Sequence, residues 1–224
     1  MLRKFFLPAI LLTIVFPTLR LLSSADGNKV ESIGAFSDPN ASDSLKNGLE
    51  TKGYRVILAD GNPLCDIWFR TAVPVREKKD LPAVTYPELA DSTLLAVVSF
   101  PKPAKDFRGQ TIKAGAYAAR YALHPEDGNH LGISINRDFL LLVPVGIDKD
   151  INAQFKFEDL AKLSKNASGT NHPAPMSLVP LEKRGDFPSL VENDRGHLIL
   201  QVKLKTQSGN ELPIALVVKG VAEG

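Results

Sequence analysis

The chain has 224 residues, of which 27 are basic and 25 acidic, so its formal net charge at pH 7 is only +2. Because charges of both signs are spread along the sequence, no single-sign field favours nucleic acid or an anionic membrane surface as a partner. The one cysteine, Cys65, has no partner for an internal disulfide. Its thiol is expected to be a small buried hydrophobe rather than a nucleophile.

The N-terminus has the pattern of a secretory signal peptide. Residues 3–4 are basic, residues 5–16 form an apolar run, and Ser23-Ser24-Ala25 supplies the small residues that a signal peptidase needs. The run is shorter than the ~20 residues of a spanning helix, and Arg20 interrupts its extension. The sequence therefore predicts that residues 1–25 are removed and that a secreted or periplasmic protein without a membrane span remains.

Two neighbouring elements are predicted at the start of the mature chain. Residues 42–52 have the spacing of a short helix with Leu45 and Leu49 on one face. Two β-rich runs, 54–59 and 64–70, then flank the turn sequence Asp60-Gly61-Asn62-Pro63. This arrangement predicts a β-hairpin.

The hairpin also has a predicted register. Pairing Ala59 with Leu64 sets Val56 against Ile67 and places Tyr54, Val56, Leu58, Cys65, Ile67 and Phe69 on one face. The opposite face then carries Arg55, Ile57, Asp66, Trp68 and Arg70. In this register Arg55 lies across from Trp68 at a distance suited to cation–π stacking, and Trp68 is expected to be partly exposed.

The middle of the chain predicts a loop, a buried strand and a three-stranded meander. Residues 71–90 hold too many prolines and adjacent charges for a central strand, so a long surface loop is expected. Residues 94–100 are uninterruptedly apolar and should be buried on both faces. The meander is expected to use residues 107–112, 116–123 and 138–145.

The C-terminal part predicts one more helix and the clearest hairpin. Residues 157–165 have helical spacing. Residues 197–205 alternate strictly and turn through Ser208-Gly209-Asn210 into residues 212–218. With about ten strand candidates and two short helices, the sequence predicts a mostly all-β fold, a single β-sandwich or jelly-roll-like domain over residues 26–224.

One loop carries residues that could hold a metal. His124, Glu126, Asp127 and His130, together with Asp138 beyond the loop, offer imidazoles and carboxylates. Their spacing matches no established zinc signature, and Asp127-Gly128-Asn129 is typical of a turn, so a structural role is favoured over a divalent metal.

A second acidic segment partly resembles a calcium loop. Asp148, Asp150 and Asn152 occupy the first three ligand positions. Ala153 stands where the sharp turn needs glycine, and Asp159 stands where a bidentate glutamate is needed. A polar linker after a buried strand is therefore the favoured interpretation.

Arginines supply the remaining binding candidates. Arg120 and Arg137 share the central stretch with Asp106 and Asp138, which predicts a buried or half-buried ion pair. The planar fork of Arg120 can alternatively clamp a carboxylate or a sugar hydroxyl. The candidate binding residues are accordingly Arg55, Trp68, Arg70 and Arg120. No serine has a Gly-x-Ser-x-Gly setting and no segment resembles a phosphate loop, which disfavours a serine hydrolase and a nucleotide enzyme.

Several segments carry a resemblance to known proteins. The chain resembles a family of uncharacterised secreted bacterial proteins at residues 53–70, 106–110, 112–117, 120–121, 127–130 and 137–141. Within them, Ile112-Lys113-Ala114-Gly115-Ala116-Tyr117 is similar to the turn-to-strand step of transthyretin-like and carbohydrate-binding-like β-sandwiches. That resemblance implies that the glycine turns the chain and that the tyrosine enters the core.

Two functions follow as hypotheses. The favoured one is a non-enzymatic secreted or cell-envelope module that binds a protein or glycan partner, because the strands provide a scaffold but no recognised nucleophile–base pair. The alternative is a metal-dependent enzyme centred on the loop from His124 to His130, which needs three protein ligands and an open position for water.

Overall fold

The computed structural model describes residues 22–25, 27–125, 134–182 and 185–222. Within these residues the chain forms thirteen strands and two helices. The N-terminal elements are β1 (Leu22–Ala25), β2 (Asn28–Ile33), α1 (Asp43–Gly48), β3 (Gly53–Ile57), β4 (Pro63–Phe69) and β5 (Leu94–Phe100). The next are β6 (Ala104–Lys105), β7 (Thr111–Ile112), β8 (Gly115–Leu123), β9 (Asp138–Pro144) and α2 (Phe157–Ser168). The last are β10 (Pro175–Val179), β11 (Ser189–Glu192), β12 (Leu198–Lys205) and β13 (Glu211–Lys219).

Eleven strands form one continuous sheet in the order β1-β2-β3-β4-β5-β8-β9-β10-β13-β12-β11. Each neighbouring pair is antiparallel. Strands β6 and β7 make a separate small hairpin. Antiparallel neighbours need only short turns, which fits a chain whose strand-like runs follow one another closely.

Strand β10 joins the two halves of this sheet. Its residues Pro175–Ser177 pair with β9, whereas Leu178 and Val179 pair with β13. Beyond this junction the sheet folds over, so that Cα atoms of β11 come within 8 Å of β1 and β2 at the opposite edge. The two halves face each other across one core, and the predicted mostly-β, sandwich-like fold is confirmed.

The main core lies between the two halves. It combines residues from both ends of the strand order, including Val30 of β2, Ile67 of β4, Leu140 of β9 and Leu200 of β12, each no more than 1% exposed. Alternation and apolar continuity in the sequence predict twelve core residues. Leu94 and Val97 belong to a second buried cluster, and Leu58 is partly buried against the main core. The other nine belong to the main core. They are Val56, Ile67, Phe69, Tyr117, Tyr121, Leu140, Leu142, Leu200 and Val202.

The helices cover the outer face of the sheet. Helix α1, capped by the Ser42 hydroxyl, packs Leu45 against Trp68 of β4 and Val97 of β5 in a second apolar cluster. Helix α2 packs Leu160 against the outer face of β8 and β9. Because this central part of the sheet is covered on both sides, its strands are apolar at consecutive positions, as residues 94–100 predict.

The hairpin of β3 and β4 forms, but its register differs from the prediction. Val56 pairs with Cys65 rather than Ile67, and a bulge follows at Ile57, which faces Pro63. The shift is two residues, so every side chain keeps its face. Cys65 lies fully buried in the main core as expected, and burial raises the pKa of its thiol.

The predicted meander is wrong in its first strand. Strands β8 and β9 pair as expected, but the other neighbour of β8 is β5. In residues 106–110 the carboxylate of Asp106 accepts hydrogen bonds from the backbone N–H groups of Arg108 and Gln110, and Gly109 has a φ of +78°. This turn chemistry competes with a strand and leaves only Thr111–Ile112 extended.

Helix α1 begins where it is expected but ends at Gly48 rather than at residue 52. The expected surface loop at 71–90 buries Val73, Tyr86 and Leu89 in the main core, so only part of it lies at the surface.

The second helix and the last hairpin lie close to their expected bounds. Helix α2 continues to Ser168 because Gly169 supplies the left-handed C-terminal cap. The last hairpin pairs Lys205 with Glu211 and Leu200 with Leu216. Gly115 has a φ of +146° and Tyr117 is buried in the main core, as the similarity to sandwich turn-to-strand steps implies.

The N-terminal edge strand overlaps the expected cleavage region. Strand β1 consists of the last four residues of the expected signal peptide, and it pairs with β2. Among the described residues, the helices are too short or too polar to cross a bilayer.

Candidate ligand-binding cavity

A cavity of about 770 Å³ opens at one end of the sandwich. Four parts of the chain line it: the turn of the β3–β4 hairpin, the segment around the β6–β7 hairpin, Gly196 between β11 and β12, and the end of β13 with the residues that follow it. Its volume lies within the roughly 300–1,000 Å³ that small-molecule sites occupy. This makes it the strongest candidate for a binding site in the described part of the chain.

The cavity floor is an extension of the main core. Leu58, Leu64 and Ala104 are partly buried and pack against the core, and Val218 belongs to it. Leu58, Leu64 and Ala104 remain partly exposed here, whereas Val218 is only 6% exposed. An apolar ligand in the cavity would therefore continue the packing of the core.

One wall of the cavity is the C-terminal segment, which is fixed at two points. His197 Nε2 is 3.0 Å from the carbonyl oxygen of Val221, and the backbone N–H of Ala222 donates to the carbonyl of Phe107 at 2.7 Å. The backbone of Gly220 passes so close to His197 that a Cβ atom there would lie 2.5 Å from the imidazole Cδ2. This close approach requires glycine, and the two anchors make the wall part of the folded structure.

Three exposed lysines, Lys102, Lys105 and Lys219, line the same cavity. Lys102 Nζ donates to the Asn62 side-chain oxygen at 3.3 Å, and Lys105 Nζ donates to the Thr111 hydroxyl at 2.9 Å. Within the described part of the chain, no carboxylate lies within 4.0 Å of these three ammonium groups. The cavity therefore combines an apolar floor with positive charge.

The positive charges of the lysines also affect the neighbouring carboxylate of Asp60. Its pKa lies below the usual aspartate value, chiefly because the backbone N–H of Asn62 donates to it, and further because of the positive charges of Lys102 and Lys219. Asp60 offsets part of the lysine field but is not among the residues that line the cavity. Among the described residues that line the cavity, the charged side chains are these three lysines, so its lining is positively charged.

The structure places the predicted binding residues elsewhere. Arg55 pairs with Asp66 directly across the hairpin, and its guanidinium makes two hydrogen bonds of 2.7 Å to that carboxylate. Trp68 is 7% exposed, because its indole N–H donates to the carbonyl of Gly34 and its ring packs on Phe36. The predicted Arg55–Trp68 stacking is therefore wrong because the register is shifted. The predicted exposure of Trp68 is wrong because Phe36 and the chain at Gly34 cover its face of the hairpin.

Arg70 and Arg120 both hold the segment 148–153 against the sheet. Arg120 is fully buried and forms two hydrogen bonds to Asp148, with three more to the carbonyls of Ser92, Asp150 and Ala153. All five of its N–H donors are thus used. The predicted buried ion pair is confirmed, although its partner is Asp148 rather than Asp106 or Asp138.

The other arginine completes this anchor. Arg70 donates to the carbonyls of Ala72 and Ile151 and to the side-chain oxygen of Asn152. Burial, followed by the nearby positive charge of Arg120, lowers the pKa of Arg70. Asp148 and Asn152, two of the three residues that resemble calcium ligands, are therefore hydrogen-bonded to arginines, which fits the structural interpretation of this segment.

The predicted metal cluster is only partly within the described residues. Glu126, Asp127 and His130 lie outside them. Asp138 is fully buried, and its two oxygens accept hydrogen bonds from the backbone N–H groups of Thr85 and Tyr86. The His124 ring stacks on Phe139 with centroids 4.4 Å apart. No group of three potential ligand side chains converges among residues that the structure describes.

Sequence reasoning missed the cavity. Lys102 and Lys105 stand beside Pro101 and Pro103, a segment interpreted only as the end of a buried strand. Two lysines within a proline-containing segment after an apolar strand are a weak signal of an exposed basic hairpin. Their convergence with Lys219, more than a hundred residues later, has no local signal.

Comparison with protein-family models, curated protein sequences and solved structures found no significant match. The resemblance to a family of secreted bacterial proteins therefore stays a prediction. Function has to be argued from the geometry of the chain itself.

Proposed function

We propose that this protein is a non-enzymatic binding module whose ligand occupies the cavity at the end of the sandwich. The observation that carries the proposal is the partly uncovered floor of Leu58, Leu64 and Ala104 within a cavity of about 770 Å³. Apolar surface left open to water is costly, and a ligand that covers it gains the hydrophobic free energy. The N-terminal sequence pattern supports a secreted or periplasmic location for this activity.

The cavity has more support than the sites that the sequence alone indicates. A glycan platform at Trp68 would need an accessible indole ring, whereas Phe36 and the Gly34 carbonyl occupy its surroundings. For a metal-dependent enzyme centred on the loop from His124 to His130, Glu126, Asp127 and His130 lie outside the described residues. Asp138 is buried and accepts backbone hydrogen bonds from Thr85 and Tyr86, which supports a structural role for its carboxylate.

The proposal is tested with a neutral apolar fluorophore such as Nile red. The protein is expected to bind one equivalent saturably, with the blue-shifted emission of an apolar environment. Val221→Trp should weaken this binding at least several-fold, because Val221 lines the cavity and a larger side chain fills it. Val75→Trp is the matched control, since Val75 is also exposed but lies outside the cavity.

Two outcomes would contradict the proposal. One is the absence of saturable binding by the folded protein. The other is equal binding by the Val221→Trp and Val75→Trp variants, which would place the fluorophore elsewhere. Ala104→Trp, which fills the cavity from the β6 side, shows whether the effect of Val221→Trp comes from a displaced C-terminal segment.

A further inference from the structure

We infer that the ligand is an amphiphile with one alkyl chain and an anionic head group, with the chain on the apolar floor and the head group at Lys102, Lys105 and Lys219. This inference rests on the proposed function and adds the chemical class of the ligand. A fatty carboxylate is the simplest molecule of this class.

The first observation in support of this inference is the position of the three lysines around the cavity. The three ammonium groups come from two separate segments, the chain around β6 and the end of β13, yet line one cavity. Lysine is a compact charge on a flexible apolar stem, so its ammonium group can reach a head group at the mouth while the stem extends the apolar lining. Among the charged residues that line the cavity, all three are cations.

The second observation is the apolar floor, which indicates that the ligand also has an apolar part. A purely ionic ligand such as inorganic phosphate would leave Leu58, Leu64 and Ala104 partly uncovered, whereas a neutral oil would leave the three lysines without a counter-charge. Only a molecule with both an alkyl chain and an anionic group covers the apolar floor and balances the charge of the three lysines. A volume of about 770 Å³ suits a single small molecule rather than a protein segment of interface size.

The third step is that the site is preformed. His197 and Phe107 hold the C-terminal wall through the Val221 carbonyl and the Ala222 N–H, independently of any ligand. A wall already in place lowers the ordering cost of binding. The cavity therefore needs no large rearrangement to admit an alkyl chain.

The experiment compares a series of alkyl carboxylates with the alcohols of equal chain length, as competitors of the fluorophore, below their aggregation concentrations. The carboxylates are expected to bind more tightly than the alcohols, by roughly 1.4- to 5-fold for each lysine that pairs with the head group. Both series should tighten by up to about fourfold per added methylene until the cavity is full. The carboxylate preference should shrink as salt concentration rises.

Matched variants locate the head group. Replacing Lys102, Lys105 and Lys219 together by glutamine should abolish the carboxylate preference while alcohol binding persists. Replacing Lys156, Lys162 and Lys165 by glutamine removes the same charge around α2, away from the cavity, and should leave the preference unchanged. Alkyl phosphates serve as a second head group, and tighter binding than the carboxylates would identify a phosphate-type ligand of the same class.

The outcomes separate this inference from the proposed function. Equal affinity for carboxylates and alcohols, or a preference that survives the triple substitution at the cavity, overturns the inference but leaves the binding module intact. Binding only to anionic vesicles, with no competition by single-chain molecules, also overturns it. If neither series binds saturably, the proposed function itself fails.

Discussion

The side-chain hydroxyl of Tyr86 lies at the junction between the two halves of the sheet. The Tyr86 hydroxyl donates to the carbonyl of Val179 in β10 at 2.7 Å and accepts from the N–H of Ala215 in β13 at 2.8 Å. It thus satisfies backbone groups at the point where the pairing of β10 with β13 is only two residues long. Burial raises the pKa of Tyr86, which keeps the hydroxyl protonated and able to donate.

Replacing Tyr86 with phenylalanine should therefore destabilise the fold. The ring still fits, but a buried carbonyl and a buried N–H lose their partner, which costs about 1–3 kcal/mol of unfolding free energy. Urea denaturation of the purified protein measures this loss directly.

Tyr117→Phe provides the matched control. Its hydroxyl also donates to a backbone carbonyl, that of Lys113 at 2.8 Å, but the bond is only partly buried. Its loss should cost about 1 kcal/mol or less, since water can replace the phenol. Equal effects of the two substitutions would mean that the Tyr86 hydroxyl has no special role at the junction.

At the scale of elements, the segment 148–153 is fixed to the sheet by arginine rather than by metal. Arg120 contacts it at Asp148, Asp150 and Ala153, and Arg70 contacts it at Ile151 and Asn152. This segment leads toward α2, so the two arginines fix the start of the connection that carries the helix onto the outer face of β9.

Arg120→Leu should be strongly destabilising. It leaves the fully buried Asp148 carboxylate without its counter-charge and removes the donors of three carbonyls. Breaking a buried pair in this way costs about 3–5 kcal/mol. Urea denaturation measures the loss, and faster trypsin cleavage after Lys149 in native buffer would report release of the segment.

Arg55→Leu is the corresponding control on the surface. Its pair with Asp66 has similar bidentate geometry, but the arginine side chain is 42% exposed. An exposed pair contributes roughly 0–1 kcal/mol. A loss for Arg120→Leu no larger than for Arg55→Leu would show that the buried pair does not hold the fold.

At the scale of the whole molecule, the N-terminus has two incompatible roles. The sequence predicts that residues 1–25 are a signal peptide, whereas the structure pairs Leu22–Ala25 with β2 at the edge of the sheet. Cleavage after Ala25 would make β2 the edge strand. Because β11 already approaches β2, the sandwich would keep its main core.

We expect the exported protein to begin at Asp26. Intact-mass measurement of the protein from the periplasmic or culture fraction checks this. An exported chain that retains Leu22–Ala25 would instead make β1 a permanent strand. Recovery of the uncleaved chain from the membrane fraction would contradict the secreted or periplasmic location.

The sequence determined the elements that depend on local patterns. The alternation at 198–205 and the turn at 208–210 are enough for the last hairpin, because period-two burial and glycine turns act over neighbouring residues. The same holds for the start of helix α1, which follows a capping serine and buries Leu45, whereas Leu49 is buried at its extended C-cap. The mostly-β fold follows from the sum of such patterns.

The register of the hairpin formed by β3 and β4 could not be predicted from the local sequence pattern. The turn sequence determined that a hairpin forms and which face each residue takes, but a two-residue shift preserves every face, so alternation cannot distinguish the two registers. The bulge at Ile57 and the Arg55–Asp66 pair select one of them. In the observed register Arg55 faces Asp66 instead of Trp68.

Only the tertiary structure decided the candidate site. Leu64, Lys102 and Lys219 lie far apart in the chain, and each has an ordinary local setting. They line one cavity because the strand order brings the ends of β4 and β13 to the same end of the sandwich, beside the β6–β7 hairpin. Strand order depends on pairing between distant segments, which leaves no periodic trace in the sequence of any one of them.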